Sequence, residues 1–141
     1  MPDGDEWEYA ARGGLVNQSF PNGNSLSMES GNYNKSGKQG TVPVGSYAPN
    51  GFGLHDMLGN VLEWVSDRYG AEYYRKSPVE NPLGPTAGRF RVVRGGGWKS
   101  GPGCVAVFHR NALPANWVDF NVGFRCVRSS STPAEDFPES P

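Results

Sequence analysis

Glycine and proline occur along the whole sequence, and they restrict its possible folds more than any other feature. Twenty glycines and twelve prolines are spread over 141 residues, and both residue types interrupt helices. A helical bundle is therefore excluded. The chain nevertheless contains seven phenylalanines, six tyrosines and four tryptophans, which is too many aromatic side chains for a disordered chain. The combination predicts one loop-rich domain whose core is built from large rings.

The charge balance excludes some classes of partner. Thirteen basic and fourteen acidic residues give a net charge of −1. The sequence thus lacks the excess of basic residues that is typical of nucleic-acid-binding proteins. Arg89, Arg91 and Arg94 are interpreted as a solvated strand face. No apolar run approaches the ~20 residues of a membrane span, and no apolar signal-peptide core follows Met1. The sequence indicates neither a compartment nor an oligomeric state.

Local patterns predict one short helix and a few short strands. Residues 5–12 carry acids in the first turn and are followed by two glycines, which is typical of a helix. Apolar and β-branched residues predict strands at 89–94 and 122–127. A turn at Gly59 is expected to lead into a short strand or helical turn through Trp64. Three tryptophans, Trp7, Trp64 and Trp98, are predicted to lie in the core.

Three segments show no periodic pattern. Residues 13–53 are predicted to be loop, and residues 99–121 have no period of either kind. Residues 129–141 are rich in serine, threonine, proline and acids, which predicts a disordered tail. Residues 1–128, which precede this tail and include the two loop segments, are expected to form the single domain.

The cysteines and histidines are too few for a familiar metal site. Cys104 and Cys126 either pair or stay free, since each lies near an expected strand end. The two histidines, His55 and His109, are far apart in sequence. Neither a CxxC motif nor a zinc-ligand spacing is present, so a zinc or iron site built on these residues alone is not expected.

Five sequence blocks occur in an informative order. They are residues 6–14 (EWEYAARGG), 43–46 (PVGS), 50–67 (NGFGLHDMLGNVLEWVSD), 91–98 (RVVRGGGW) and 123–125 (GFR). Together they resemble the formylglycine-generating enzyme, or sulfatase-modifying factor, superfamily over residues 2–128.

The resemblance implies an α+β, C-type-lectin-like fold with little regular secondary structure, short antiparallel strands and one or two short helices. It also implies that the family domain begins well before Met1. Residues 1–128 would then correspond to the second half of that domain, or to a compact version of it.

Members of this family have different activities, so the site residues must discriminate among them. The members that oxidise a sulfatase cysteine to formylglycine hold copper with two cysteines, since a pair of thiolates suits soft Cu(I). By resemblance, Ser100 stands at the first cysteine position and only Cys104 lies near the second. Copper and that oxidase reaction are therefore not expected here. In the sulfoxide synthases of the family, the iron ligands lie largely in another domain.

A non-catalytic function is implied by the variable proteins of diversity-generating retroelements, which also resemble this chain. Residues 99–121 would then present a variable surface to a protein or other macromolecular ligand, with rings for contact area and Asn or Ser for hydrogen bonds. For Val107 and Phe108 a core position is an equally good interpretation, whereas Trp117 favours the binding face. The candidate contact residues are Lys99, Ser100, Val107, His109, Asn111, Leu113, Asn116, Trp117, Asp119 and Phe120.

Two alternatives to this binding function stay open. One is an enzyme-family oxidoreductase, or a member with a different or lost reaction. The other is a purely structural or chaperone-like interaction domain.

Residues 56–63 resemble the family's calcium segment. The resemblance places the side chains of Asp56 and Glu63 and the carbonyls of Gly59 and Val61 around Ca2+, which prefers oxygen ligands of this kind. The ion would clamp a loop with little secondary structure. The alternative is that Asp56 caps a helix and Glu63 pairs with an arginine. Arg125 is expected to hold a buried carboxylate such as Glu8 or Glu63.

Overall fold

The computed structural model describes residues 1–80 and 82–128, so the predicted tail lies outside the described residues. These residues form one α-helix, α1, and four short strands, β1 to β4, joined by long loops. Two single-turn 3-10 helices occupy Tyr73–Arg75 and Pro102–Val105. No helix among the described residues is long and apolar enough to cross a membrane. The main elements are α1 Gly4–Arg12, β1 Leu62–Arg68, β2 Phe90–Arg94, β3 Asn111–Pro114 and β4 Val122–Phe124.

The predicted helix is confirmed, and its ends have clear chemical causes. The Asp3 side chain accepts hydrogen bonds from the first-turn amides, and the Glu6 carboxylate accepts one from the Asp3 amide in return. This reciprocal capping box satisfies amides that would otherwise lack partners. At the other end Gly13 adopts a left-handed conformation with φ of 56°, which glycine reaches without steric cost. The buried side of the helix carries Trp7 and Ala11.

The four strands form one sheet in the order β3-β2-β1-β4. Strands β1 and β2 are antiparallel, and so are β2 and β3, as expected. Strand β4, however, pairs parallel to β1, which differs from the expected all-antiparallel set. The reason is the connection 115–121, which leads from β3 at one edge of the sheet to β4 at the other. Such a connection delivers the fourth strand in the same direction as the third.

Strand β3 has no counterpart in the sequence-based prediction. It comprises only four residues, paired from Phe90↔Pro114 to Val93↔Asn111. At the edge of a sheet a strand this short alternates too few residues to produce a readable period. The predicted strand 122–127 is likewise shorter than expected, since pairing ends at Phe124.

The core lies between α1 and the sheet. Trp7 is buried there as predicted, whereas Trp64 and Trp98 are only half-buried. A second, smaller cluster lies under the loops and contains Tyr33, Leu58 and Val105. The main cluster comprises Trp7, Ala11, Met57, Val65, Val92 and Val107.

The prediction of a solvated arginine face is wrong for Arg94, which is only 1% exposed. Its Nη2 donates to Glu8 Oε2 at 2.6 Å and to the carbonyl of Gly4. Its Nη1 donates to the carbonyls of Phe108 and His109. The guanidinium also lies 5.4 Å from the Trp7 ring centroid. Alternation along β2 turns Arg94 toward α1, where these acceptors satisfy both Nη groups and only Nε is left without a partner among the described residues.

The substitution Arg94→Met should lower the free energy of unfolding by about 3–5 kcal/mol, because it removes one partner of a buried pair and leaves several carbonyls without a donor. Arg89→Met is the matched control, since Arg89 is exposed and its loss should change stability by less than about 0.5 kcal/mol. Urea unfolding followed by circular dichroism measures both. Equal effects of the two substitutions would contradict the role assigned to Arg94.

Candidate functional site

The fold divides the predicted contact residues between the two edges of the sheet. Asn111 and Leu113 belong to edge strand β3, and His109 comes just before it. Asp119 and Phe120 come just before β4, at the opposite edge. The ten residues therefore do not form one compact patch.

Burial separates the contact candidates further. Val107 is 0% exposed and belongs to the main core cluster, so the assignment of its side chain to a binding surface is wrong. Its neighbour Phe108 is exposed. Of the two residues for which a core position and a surface position were equally good interpretations, Val107 therefore lies in the core and Phe108 at the surface. The exposed candidates are Lys99, Asn111, Asn116, Trp117 and Phe120, and the half-buried ones are Ser100, His109, Leu113 and Asp119.

One of the exposed candidates, Lys99, is a cation that lies over two aromatic rings. The Lys99 ammonium is 4.7 Å from the Trp98 ring centroid and 4.8 Å from that of Phe120. The two rings are 6.2 Å apart and tilted by 37°. No carboxylate among the described residues forms a salt bridge with Lys99. The cation–π contacts hold this charge in place while leaving it unneutralised.

The segment 117–124, which includes Phe120, exposes further large apolar side chains. Trp117 is 47% exposed and Phe120 69% exposed, and Val118 and Phe124 are also exposed. We call Lys99, Trp117, Val118, Phe120 and Phe124 the aromatic surface. Exposed apolar side chains grouped in this way are typical of interaction sites.

The backbone beneath the aromatic surface is well anchored. The Trp98 amide donates to the Asn60 carbonyl, and the Leu62 amide donates to the Asn121 carbonyl. The Asp119 carboxylate accepts from the Asn121 amide. Trp98 Nε1 and Asn121 Oδ1 are buried without a hydrogen-bond partner, so this region retains one donor and one acceptor. A rigid base reduces the entropy lost when a ligand binds.

The residues at the copper position do not form a copper site. Ser100 Oγ accepts a hydrogen bond from the Gly97 amide at 2.9 Å. Cys104 and Cys126 are both free and exposed, which resolves the alternatives of pairing and free thiols. A hydroxyl already engaged by the backbone and a single nearby thiol do not fit Cu(I), which requires soft ligands in a close set.

The proposed calcium ligands line a single pocket of about 410 Å³. Glu63 is paired there with Arg125, whose Nε and Nη2 donate to its two carboxylate oxygens at 2.6 Å each. Trp7 Nε1 donates to the same Oε2 at 2.6 Å. Of the two carboxylates predicted as partners of Arg125, Glu63 is the one that it contacts, whereas Glu8 pairs with Arg12 and Arg94. Burial lowers the pKa of Arg125, but Glu63 and Asp56 outweigh it and raise that pKa above its ordinary value.

Acceptor capacity for a cation remains in this pocket. Glu63 Oε1 receives one hydrogen bond, and a carboxylate oxygen has two lone pairs. Asp56 is not a helix cap. It lies in the left-handed region with φ of 57°, and its Oδ2 accepts from the Gly45 amide. No group of three or more His, Cys, Asp or Glu side chains among the described residues is placed to hold a metal, so calcium would need the Gly59 and Val61 carbonyls. On this basis the residues fit a weak oxygen site.

The edge at β3 has a different chemical character. His109 is half-buried, and burial, with a contribution from Arg94, lowers its pKa. His109 is therefore neutral at neutral pH and does not add a second cation. On β3, Leu113 pairs with Arg91 and Asn111 with Val93.

Comparison with known proteins gives matches over nearly the whole chain. Residues 1–130 match the protein family described as sulfatase-modifying factor enzyme 1-like domain. A serine/threonine-protein kinase, pkn1 of Chlamydia caviae, is 39% identical over 91% of this chain and 21% of its own length. The formylglycine-generating enzyme of Mus musculus is 37% identical over 90% of this chain and 38% of its own length. The chain thus spans less than half of either relative.

A solved structure supports the same fold. Variable protein 1 of Treponema denticola superposes with a TM-score of 0.75 and 30% sequence identity. The match covers 88% of this chain and 45% of that one. The expected α+β fold class is therefore confirmed.

Substitutions at Val107 and Phe120 should separate core from surface. Val107→Ala should lower the free energy of unfolding by roughly 2–3 kcal/mol, because it leaves a cavity beside Trp7. Phe120→Ala should cost less than about 1 kcal/mol, because the contacts that it loses, with Lys99 and with the Trp98 ring, lie at the exposed surface. Urea unfolding followed by tryptophan fluorescence measures both. A larger loss at Phe120 than at Val107 would show that Phe120 supports the fold.

Proposed function

The chain belongs to the sulfatase-modifying factor enzyme 1-like family, and we propose that it serves there as a non-catalytic domain that binds a protein or other macromolecular ligand. The observation that carries this proposal is the aromatic surface. Its rings and its unneutralised lysine are exposed on a backbone that hydrogen bonds hold in place.

The composition of the aromatic surface suits recognition of a macromolecule. Rings bury a large contact area at low entropic cost, and neighbouring polar groups such as Asn116 add adaptable hydrogen bonds. A fixed charge at Lys99 adds selectivity for a complementary group on the partner. The likeness to the Treponema variable protein supports a surface that changes in sequence while the scaffold stays constant.

The oxidase alternative receives less support from the residues present. Ser100 and Cys104 provide one thiol where the copper reaction needs two, and Ser100 is already bonded to the backbone. Copper-dependent oxygen consumption with a cysteine-containing peptide would restore that alternative and overturn the proposal.

Sequencing the flanks of the gene tests the variable-surface function directly. We expect a near-copy of codons 94–125 beside a reverse transcriptase gene, differing at adenines. Varied positions should include exposed residues of the aromatic surface and spare Val107, because a random side chain in the core would destabilise the domain. Finding no such copy would contradict a diversified surface. Variation concentrated at Val107 would contradict the assignment of the surface.

We also propose a structural calcium ion in the pocket of Asp56 and Glu63. Saturating millimolar Ca2+ should raise the melting temperature by about 3 °C or more, because an ion that binds only the folded state stabilises it. Mg2+ should have a smaller effect, since it demands a tighter octahedral set of ligands. Asp56→Asn should reduce the shift, because a neutral amide oxygen is a weaker ligand for Ca2+ than a carboxylate, while it keeps an oxygen acceptor for the Gly45 amide. An unchanged melting temperature with Ca2+ would overturn the proposal.

A further inference from the structure

A groove beside α1 is independent of both sites described above. Two adjoining pockets, of about 480 and 410 Å³, share Tyr9, Arg12 and Phe108 as lining residues. Arg110 and Tyr74 line the second pocket. We call this region the Arg110 groove. It shares no lining residue with the aromatic surface or with the calcium pocket.

Arg110 is the group in this groove that lacks a polar partner. Its guanidinium stacks on two tyrosines, 4.4 Å from the Tyr74 ring centroid and 5.6 Å from that of Tyr69. Its Nε is buried and makes no hydrogen bond within the described part of the chain. No carboxylate of the described residues forms a salt bridge with it. A buried donor without an acceptor is uncommon and costly in a folded protein.

The acids of the groove are already engaged elsewhere. Glu8 pairs with Arg12 through Oε1 and with Arg94 through Oε2, both at 2.6 Å. Asp5 accepts a hydrogen bond from the Tyr74 hydroxyl at 3.3 Å. Since Glu8 is neutralised twice and Asp5 faces a phenol, Arg110 is the cation that remains available for a ligand.

The opposite end of the groove is apolar. Leu15 and Val16 lie in the pocket away from Arg110, and the exposed Tyr9 and Phe108 line both pockets and connect the two ends. A ligand that spans both ends would therefore combine an anionic head with an apolar body.

We propose that the Arg110 groove binds a carboxylate attached to an aromatic or aliphatic body, with the carboxylate on Arg110 and the body against Tyr9 and Phe108. A carboxylate is favoured because its planar pair of oxygens matches the fork of a guanidinium. The stacking on Tyr74 holds that fork in a fixed plane. The Tyr74 hydroxyl, whose pKa burial raises, stays protonated at neutral pH and does not repel an anion.

A free organic acid and the C-terminus of a peptide present the same chemistry, and two probes distinguish them. N-acetyl-phenylalanine represents the free acid, and a tetrapeptide ending in phenylalanine represents the peptide. The amide of each probe lacks the negative charge and serves as its control. Titration into the full chain by isothermal calorimetry measures all four affinities.

Each acid should bind at least about tenfold more tightly than its amide, because the charge-assisted contact with Arg110 is lost in the amide. Tighter binding of the tetrapeptide than of N-acetyl-phenylalanine would identify a peptide ligand, and the reverse would identify a free acid. Equal affinities of acid and amide, or no binding of any probe, would overturn the proposal. Tighter binding of inorganic phosphate than of either acid would also overturn it.

Substitutions link the affinity to the residue. Arg110→Gln should remove the preference for acid over amide, and Arg89→Gln, at an exposed arginine outside the groove, should leave it unchanged. Arg110→Lys retains the charge without the planar fork, so it should bind both acids more weakly than the wild type does. It replaces Arg110→Gln in the test if that variant fails to fold. A full preference in a folded Arg110 variant would overturn the proposal. None of these substitutions alters the aromatic surface, so the result is independent of the function proposed for it.

Discussion

The buried guanidinium of Arg94 is the interaction on which the rest of this structure depends. Its donors reach Glu8 and Gly4 on α1 and the carbonyls of Phe108 and His109. A charge this deeply buried is tolerated only where it is paired and hydrogen-bonded. Arg94 therefore fixes the helix, strand β2 and the end of the connection between β2 and β3 relative to one another. Arg110 directly follows His109 in the chain, so the same contacts also position the Arg110 groove.

A second charged pair performs the same task on the neighbouring strand, where Glu63 lies opposite Arg94 in the β1–β2 register. Glu63 on β1 accepts from Trp7 on α1 and from Arg125, which directly follows β4. In a chain whose strands are three to seven residues long, backbone ladders are short, and side chains bonded across elements replace part of that support. The same carboxylate belongs to the calcium pocket, so an ion bound there would act on a junction that the protein already reinforces.

The proposed binding regions lie on the outside of this framework. The aromatic surface is anchored through backbone contacts at Trp98 and Asn121, while its own side chains make few contacts that stability requires. Such a division allows a surface to change without loss of the fold. The Arg110 groove differs, because Arg110 is stacked and partly buried, and its chemistry is specific to one residue. A variable surface and a fixed groove are therefore compatible in one domain.

The sequence by itself determined the family, the α+β class and helix α1, because long motifs, capping residues and short-range periodicity are local properties. It left Glu8 and Glu63 both open as partners of Arg125, and the structure decided for Glu63. Only the tertiary structure decided which neighbour in the pair Val107 and Phe108 enters the core. It also revealed β3, and it moved Arg94 from an expected solvent-facing position to the centre of the packing. These features depend on which residues pack against each other from distant parts of the chain. A segment without hydrophobic periodicity does not indicate which of its side chains faces such a partner.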